Sequence, residues 1–281
     1  MASKVRKYDR SSRLVSTVIV TLIGLVFVLP LVWMLSASLQ INGDIFKYPF
    51  TWLPKAPRWV NYADIWNSGE IPLLQMYRNS LFIVIFTNLG VLFVSLLAAY
   101  AFARLEFKGK GIVFGLFIGV MMIPSQVTVV PRFLLFKELN IYNTLWAVIL
   151  PGLFSVTSIF LMRQFFMTIP ASLSESAFLD GAGHFRILMQ IMLPLLKPTV
   201  ASLVIMNFVS CWNDYFNPLV FLPSKKWYTV SLGIQYYYTQ EVPSTNLTMA
   251  MSVCAIVPVL ILFFSCQKFF IESITSSGVK G

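Results

Sequence analysis

Six stretches of this sequence are each long and apolar enough to cross a hydrocarbon layer as helix, and they leave room for little else. A bilayer core of about 30 Å takes roughly 20 apolar residues in helix. The six run Leu14–Ser36, Ser80–Ala103, Gly111–Phe136, Thr144–Phe165, Val200–Leu222 and Leu247–Ile271. Of the 281 residues, 57% are hydrophobic and 11% charged, against about a quarter charged in a soluble domain. The expected fold class is an all-α polytopic membrane protein with about six transmembrane helices. No soluble catalytic domain of ordinary size fits between them.

The first segment ends at Ser36-Ala37-Ser38, which resembles a signal cleavage site. Its apolar run of about 22 residues exceeds a signal core of roughly 7–15, so it reads as a retained helix. The chain then divides into an N-terminal flank, 1–13, and a transmembrane domain, 14–281. Six spans place both termini on one side. Of the 21 Lys and Arg, 13 fall on that side and 8 on the other. The flank and the short loop 104–110 are nearly all basic in their charge, so the positive-inside rule puts both termini in the cytoplasm.

The net charge of +10 thus reads as basic residues beside membrane spans. No basic run interleaved with aromatics argues for nucleic acid. Cys211, Cys254 and Cys266 sit in apolar segments and His184 is the single histidine, which argues against a disulfide framework or a metal site.

Two sizeable segments, 37–79 and 223–246, fall on the outer side. The first holds Pro49, Pro54, Pro57 and Pro72, with a short surface helix expected over Asn61–Ser68. The second carries Trp227 and Tyr236-Tyr237-Tyr238. These aromatics suit either interfacial anchoring or contact with an external partner. Pro30, Pro124, Pro131, Pro151, Pro218 and Pro258 predict kinks. Gly111, Gly115 and Gly119 make a smooth face expected to serve internal helix packing.

The stretch at about 167–198 differs from the other loops. Ser172 is placed to cap a short helix, with Glu175 completing a capping box. Leu173, Ala177 and Phe178 form an apolar stripe, and Ile187, Leu188, Ile191 and Met192 form a second one. Gly181 and Gly183 permit a sharp turn between them. Pro194 and Pro198 lead into the next span. So short a helix needs a protein partner or a membrane surface to stay folded.

The order Glu175-Ser176-Ala177, Asp180-Gly181-Ala182, Ile191 and Leu193-Pro194 resembles the "EAA" loop of binding-protein-dependent ABC importer permeases. Ser176 stands where the motif has its middle alanine, a small-for-small change. Arg163-Gln164-Phe165-Phe166 with Ile169-Pro170, Trp212-Asn213-Asp214, Asn217-Pro218-Leu219, Asn79-Ser80 and the terminal Gly278-Val279-Lys280-Gly281 resemble the carbohydrate branch, in particular its maltose-permease-like second subunit. The resemblance spans roughly residues 70 to 281. It implies a type I ABC importer permease in a bacterial or archaeal plasma membrane. It also implies a second permease subunit, a cytoplasmic ABC ATPase dimer, an extracytoplasmic solute-binding protein and a sugar substrate.

In that family the EAA segment docks in a groove of the ATPase and carries its closure to the membrane helices. The implied coupling residues are Glu175, Ser176, Ala177, Asp180, Gly181, Ala182, Ile191, Leu193 and Pro194. No GxxxxGK[ST] phosphate loop is present, so ATP and Mg²⁺ belong to the separate ATPase. This chain is expected to hold no cofactor and no catalytic residue.

Asp214 lies 14 residues past Val200, roughly 21 Å along a helix. An ionisable residue at that depth faces a cavity or a partner. The pathway candidates are Asn207, Trp212, Asn213 and Asp214, with Asn88 and Gln126 as further polar positions. They suit either a hydrated sugar route or interhelical hydrogen bonding. An ion-coupled secondary transporter is the alternative; it would more often show paired broken helices and a carboxylate or histidine relay at the midplane. A membrane enzyme would need clustered carboxylates at one interface.

Overall fold

The computed structural model describes residues 10–49, 51–240 and 243–278. The basic flank up to residue 9 and the terminal Val279-Lys280-Gly281 lie outside the described residues. The helices are α1 (Arg10–Ser38), α2 (Val60–Trp66), α3 (Leu73–Arg104), α4 (Lys110–Val120), α5 (Val129–Glu138), α6 (Trp146–Gly152) and α7 (Val156–Thr168). There follow α8 (Ala171–Leu179), α9 (His184–Ile187), α10 (Leu193–Leu195), α11 (Lys197–Trp212), α12 (Phe216–Phe221), α13 (Val230–Tyr238) and α14 (Thr245–Gly278). A π turn, Leu188–Met192, joins α9 to α10.

Among the described residues, four stretches are long and apolar enough to span a bilayer: Leu14–Ser38, Leu73–Arg104, Trp146–Thr168 and Thr245–Gln267. Two bent pairs bring the number to six if each pair is one span. Lys110–Val120 with Ser125–Glu138 turns by 91°, and His184–Leu195 with Lys197–Trp212 turns by 80°.

Three of the expected spans are not continuous helices; the one expected over Thr144–Phe165 is interrupted between Gly152, the last residue of α6, and Val156, the first of α7. Gly111–Phe136 breaks after Met121 because Pro124 takes an extended conformation and has no N–H to give. Val200–Leu222 breaks after Trp212 and resumes at Phe216. The segment 223–246 also holds a helix, α13, where none was expected. Thr229 starts it by accepting the Leu232 amide on its hydroxyl at 3.3 Å, the usual work of a threonine at a helix start. The short helix expected over Asn61–Ser68 is present as α2.

The chain groups into two compact units, one reaching Asn67 and including Ile234–Cys254, the other Ser68–Gly233 with the chain from Ala255. In the first unit, Asn61 donates to the Ser38 and Gln40 carbonyls at 2.8 and 3.0 Å and accepts from Asn246 at 3.1 Å. Asn42 accepts the Thr245 amide at 2.8 Å, at the start of α14. From Leu14 to Leu31 the side chains of α1 are exposed, and a helix apolar on all sides suits lipid.

In the second unit α3 packs against α7, α11 and α6. Lipid tails are as apolar as leucine, so close fit rather than water exclusion drives helix pairing in a bilayer. A Cβ on Gly90 would lie 2.2 Å from Leu153 Cδ2, and one on Gly152 2.8 Å from Thr87 Cγ2. These two glycines let α3 and α6 approach. Gly111, Gly115 and Gly119 do not act in this way: a Cβ on any of them meets no atom within 4 Å. α4 instead turns Phe114 and Phe117 inward, both onto Phe102 with centroids 5.2 and 5.3 Å away.

Arginines close the ends of this pairing. Arg104 donates to the Phe166 carbonyl at 2.7 Å and to the Ile169 carbonyl, at the last turn of α7. Arg163 donates to the Phe102 carbonyl at 3.2 Å and lies 4.1 Å from the Phe114 ring centroid. Each helix thus supplies a cation to carbonyls at the end of the other, which complements the helix dipole.

Overpacking a tight core costs about 1–3 kcal/mol. Gly90→Val is expected to lower the thermal unfolding midpoint of the detergent-purified protein. A second change, Leu153→Ala, should recover most of that loss; a Gly90→Val protein as stable as the parent would contradict the close approach.

Candidate functional site

Three helix breaks meet at one cavity of about 810 Å³. Val120, Ile123 and Ser125 come from the break between α4 and α5. Pro151, Gly152 and Ser155 come from the junction of α6 and α7. Asp214 and Asn217 come from the junction of α11 and α12. Non-helical backbone at membrane depth is tolerated where it lines a cavity or is buried in protein.

Each break on the wall has a local polar answer. Ser155 caps α7 by accepting the Ser158 amide at 3.2 Å. Asp214 accepts the Asn217 amide on Oδ1 at 3.1 Å and the Asn217 side-chain amide on Oδ2 at 2.8 Å. Asn217 in turn accepts from Arg132 Nη2 at 3.2 Å. Arg132, on α5, also lies 5.3 Å from the Phe221 ring centroid. The wall thus carries one cation and one anion, bridged by a neutral amide.

Of the sequence-predicted pathway residues, Asn207 and Asp214 line this cavity. Asn207 donates to the Ser158 hydroxyl at 3.4 Å, so both uses left open by the sequence occur together: cavity lining and hydrogen bonding between α11 and α7. Trp212 does not line the cavity. It is 2% exposed, donates its indole N–H to the Ala255 carbonyl at 2.9 Å and stacks on Phe208. Its bulk and its N–H are both used in helix packing. Asn213 is exposed at the end of α11 and does not line the cavity either. Asn88 is buried and donates back to the Val84 carbonyl, while Gln126 is exposed near the first break.

Sequence reasoning overlooked Arg132 and gave Asn217 no chemical role. The signal for Arg132 was present: it lies inside the apolar segment Gly111–Phe136, where a charge is costly.

The segment at about 167–198 forms a second candidate site. α8 starts straight after Pro170, with no side-chain cap. The expected capping box does not form, because an entry at Ala171 puts Ser172 inside the helix and Glu175 a turn and a half along it. The expected stripe is divided too. Ala177 is buried with Ser174, whereas Leu173 and Phe178 are about 40% exposed. The outward side of α8 therefore carries Leu173, Glu175, Ser176, Phe178 and, at 90% exposure, Leu179.

The end of α8 is a Schellman turn. Asp180 is the exposed C-cap and Gly181 follows with φ +80°. The Ala182 amide donates to the Ala177 carbonyl at 2.9 Å and the Gly181 amide to the Phe178 carbonyl at 3.0 Å, the bond pair that defines this motif. Gly183 has φ −76°, which any residue can adopt, so only Gly181 needs glycine's freedom. Beyond the turn, Ile187, Leu188 and Met192 are buried in one cluster with Ala99, Ile159, Phe166 and Leu203, and Ala182 and Ile191 pack against it. The second expected stripe is thus on the core side. Leu193 and Pro194 form α10, with Leu193 half-buried and Pro194 exposed. His184 shares a hydrogen bond with the Tyr100 hydroxyl at 3.1 Å and packs on Phe178, tying α3, α8 and α9 together.

A family model described as "binding-protein-dependent transport system inner membrane component" matches residues 92–276. The chain belongs to this family. The permease is 32% identical over 271 residues to the arabinooligosaccharides transport system permease protein AraQ of Bacillus subtilis (strain 168), covering 96% of each. It is 31% identical over 256 residues to the sulfoquinovosyl glycerol transport system permease protein SmoH of Agrobacterium fabrum, covering 90% of this chain and 88% of that one. Its fold is similar to a chain in the crystal structure of a bacterial ABC transporter involved in the import of the acidic polysaccharide alginate. That match has a TM-score of 0.80 at 23% identity and covers 94% of the permease and 99% of the other chain.

A left-handed conformation costs a residue with a Cβ about 1–2 kcal/mol. Gly181→Ala should speed hydrogen exchange at the amides of residues 181 and 182, and Gly181→Asn should do so less. Equal protection in all three proteins would remove the conformational role of Gly181. Asn217→Leu leaves Asp214 and Arg132 without their shared partner, and lost hydrogen bonds to charged groups cost about 1.5–3 kcal/mol each. Its thermal midpoint is expected to fall well below that of an exposed-site control such as Asn213→Leu.

Proposed function

We propose that this chain is the permease subunit of an ATP-driven carbohydrate importer and forms half of its translocation pathway. It pairs with a second permease, takes solute from an extracytoplasmic binding protein, and couples through residues 167–198 to a cytoplasmic ATPase dimer that binds ATP and Mg²⁺. Both termini lie in the cytoplasm of a bacterial or archaeal cell.

Membership of the binding-protein-dependent transport family carries this reading; the three helix breaks, a feature expected more often of ion-coupled transporters, here open onto one cavity that can serve as a solute route. Hydroxyls and amides on its wall (Thr87, Ser125, Ser155, Asn207, Ser210 and Asn217) suit a polyhydroxylated solute, whose hydroxyls both donate and accept. The names of the relatives point the same way. Ion-coupled transport fits less well, because the matching family is described as binding-protein-dependent transport.

The coupling step follows from the two faces of α8. Leu173, Phe178 and Leu179 offer apolar area to a partner groove, and Glu175 offers a carboxylate to its donors. Ala177 and the Schellman turn fasten the same helix to the cluster that includes Leu203 of α11. Asn207, one turn further along α11, lines the cavity. A push on α8 therefore reaches the cavity wall through packed side chains and one helix.

The test is to purify the chain with its ATPase, second permease and binding protein in proteoliposomes. Leu179→Asp, and separately Glu175→Ala with Gly181→Ala, are expected to abolish or sharply reduce sugar-stimulated ATP hydrolysis and transport. Full transport in both variants would remove the coupling role of α8.

A further inference from the structure

A second pocket, of about 650 Å³, lies at the start of α3. Its wall carries two cations, Arg78 and Lys226, both exposed, with the amides Gln75 and Asn79 beside them. No acidic residue lines it; the nearby Glu70 is paired with Lys225. Phe82, Leu145, Trp146 and Trp227 complete the lining.

The cationic rim is held in place. Asn79 donates to the Lys226 and Tyr228 carbonyls, both at 2.9 Å, and Gln75 also donates to the Lys226 carbonyl. These bonds pin the turn that carries Lys226 to α3. The Lys226 ammonium lies 5.0 Å from the Trp227 ring centroid, and the Trp227 indole N–H is buried without an acceptor.

Position supplies the rest. Arg78 is five residues into a spanning helix, about 8 Å from its start, where a span meets the headgroup layer. The aromatic wall continues along α3: Phe82 and Phe86 both meet Trp146, at 5.9 and 5.7 Å. Past them Leu89 and Phe93 are exposed on the same helix. A cationic rim thus leads into an apolar face that runs toward the hydrocarbon.

We infer that this pocket binds a phospholipid with an anionic headgroup, its phosphate against Arg78 and Lys226 and its acyl chain along Phe82, Trp146 and Phe86. This site is separate from the translocation cavity and does not depend on what the importer carries.

Native mass spectrometry of the purified transporter, with phosphatidylglycerol or phosphatidylcholine added, tests it. Two cations at a membrane surface correspond to roughly a thirtyfold preference for the anionic lipid. Arg78→Gln with Lys226→Gln is expected to abolish that preference, while Arg78→Lys, and Lys108→Gln at an exposed cation beyond the opposite end of α3, should keep it. Equal retention of both lipids by the unaltered transporter, or an undiminished preference in the double variant, overturns the proposal. So does loss of the preference in Lys108→Gln, which marks a diffuse charge effect. Displacement of phosphatidylglycerol by excess inorganic phosphate would show an anion site instead of a lipid site.

Discussion

Hydrocarbon offers no water to a backbone amide, so a spanning chain can leave its helix only where something else completes its hydrogen bonds. The second unit follows this rule at each break. Past Pro124, Thr128 donates its hydroxyl to the Ser125 carbonyl at 2.8 Å. At the start of α7, Ser155 takes an orphan amide, and at its end Arg104 takes two orphan carbonyls. Past Trp212, Asp214 takes the Asn217 amide. Three of these breaks face one cavity, so the polar groups that permit irregular backbone also make the wall that a polar solute would meet.

The same constraint explains what could be read before folding. Hydrophobic length finds spans because it averages over about 20 residues, and the same averaging hides a bend. The stretch from Gly111 to Phe136 stays apolar straight through its 91° turn, and only Pro124 marked the place. Trp212 and Asp214 stood two residues apart in one motif, yet one is a packing residue and the other a cap on a cavity wall. Side-chain direction decided between them, and direction depends on where the helix stops. Arg132 drew no role because the stretch around it reads as one apolar span; the break places its side chain against Asn217.

The segment at about 167–198 was more legible because its determinants are local. Gly181 takes the left-handed position that ends a helix, and the two bonds of the turn involve only residues within five of one another. The capping box failed for an equally local reason, since Pro170 fixed the entry of the helix before Ser172 could cap it. The facing of α8 was not local. Leu173 and Ala177 share a stripe on a helical wheel, but the small Ala177 fits the core cluster while the larger Leu173 and Phe178 remain outside it. What looked like one apolar face is an anchor on one side and an unpaired surface on the other.

That division bears on how force could pass through the chain. A short helix held only by its turn would swing under load and transmit little. α8 is held by Ala177, by the Schellman bonds and by His184 against both Tyr100 and Phe178. The π turn that follows buries Leu188 and Met192 in the cluster that also receives Leu203. α11 runs 16 residues from Lys197 to Trp212, about 24 Å at 1.5 Å per residue. One end of that helix is therefore fixed to the anchor of α8, and the other leads into Asp214. Through Asn217 the carboxylate is linked to Arg132 on α5, beyond the 91° bend. Displacement of α8 would be felt at the cavity as a change in the Arg132–Asn217–Asp214 bridge, because that bridge joins the element that moves with α11 to one that does not share its anchor.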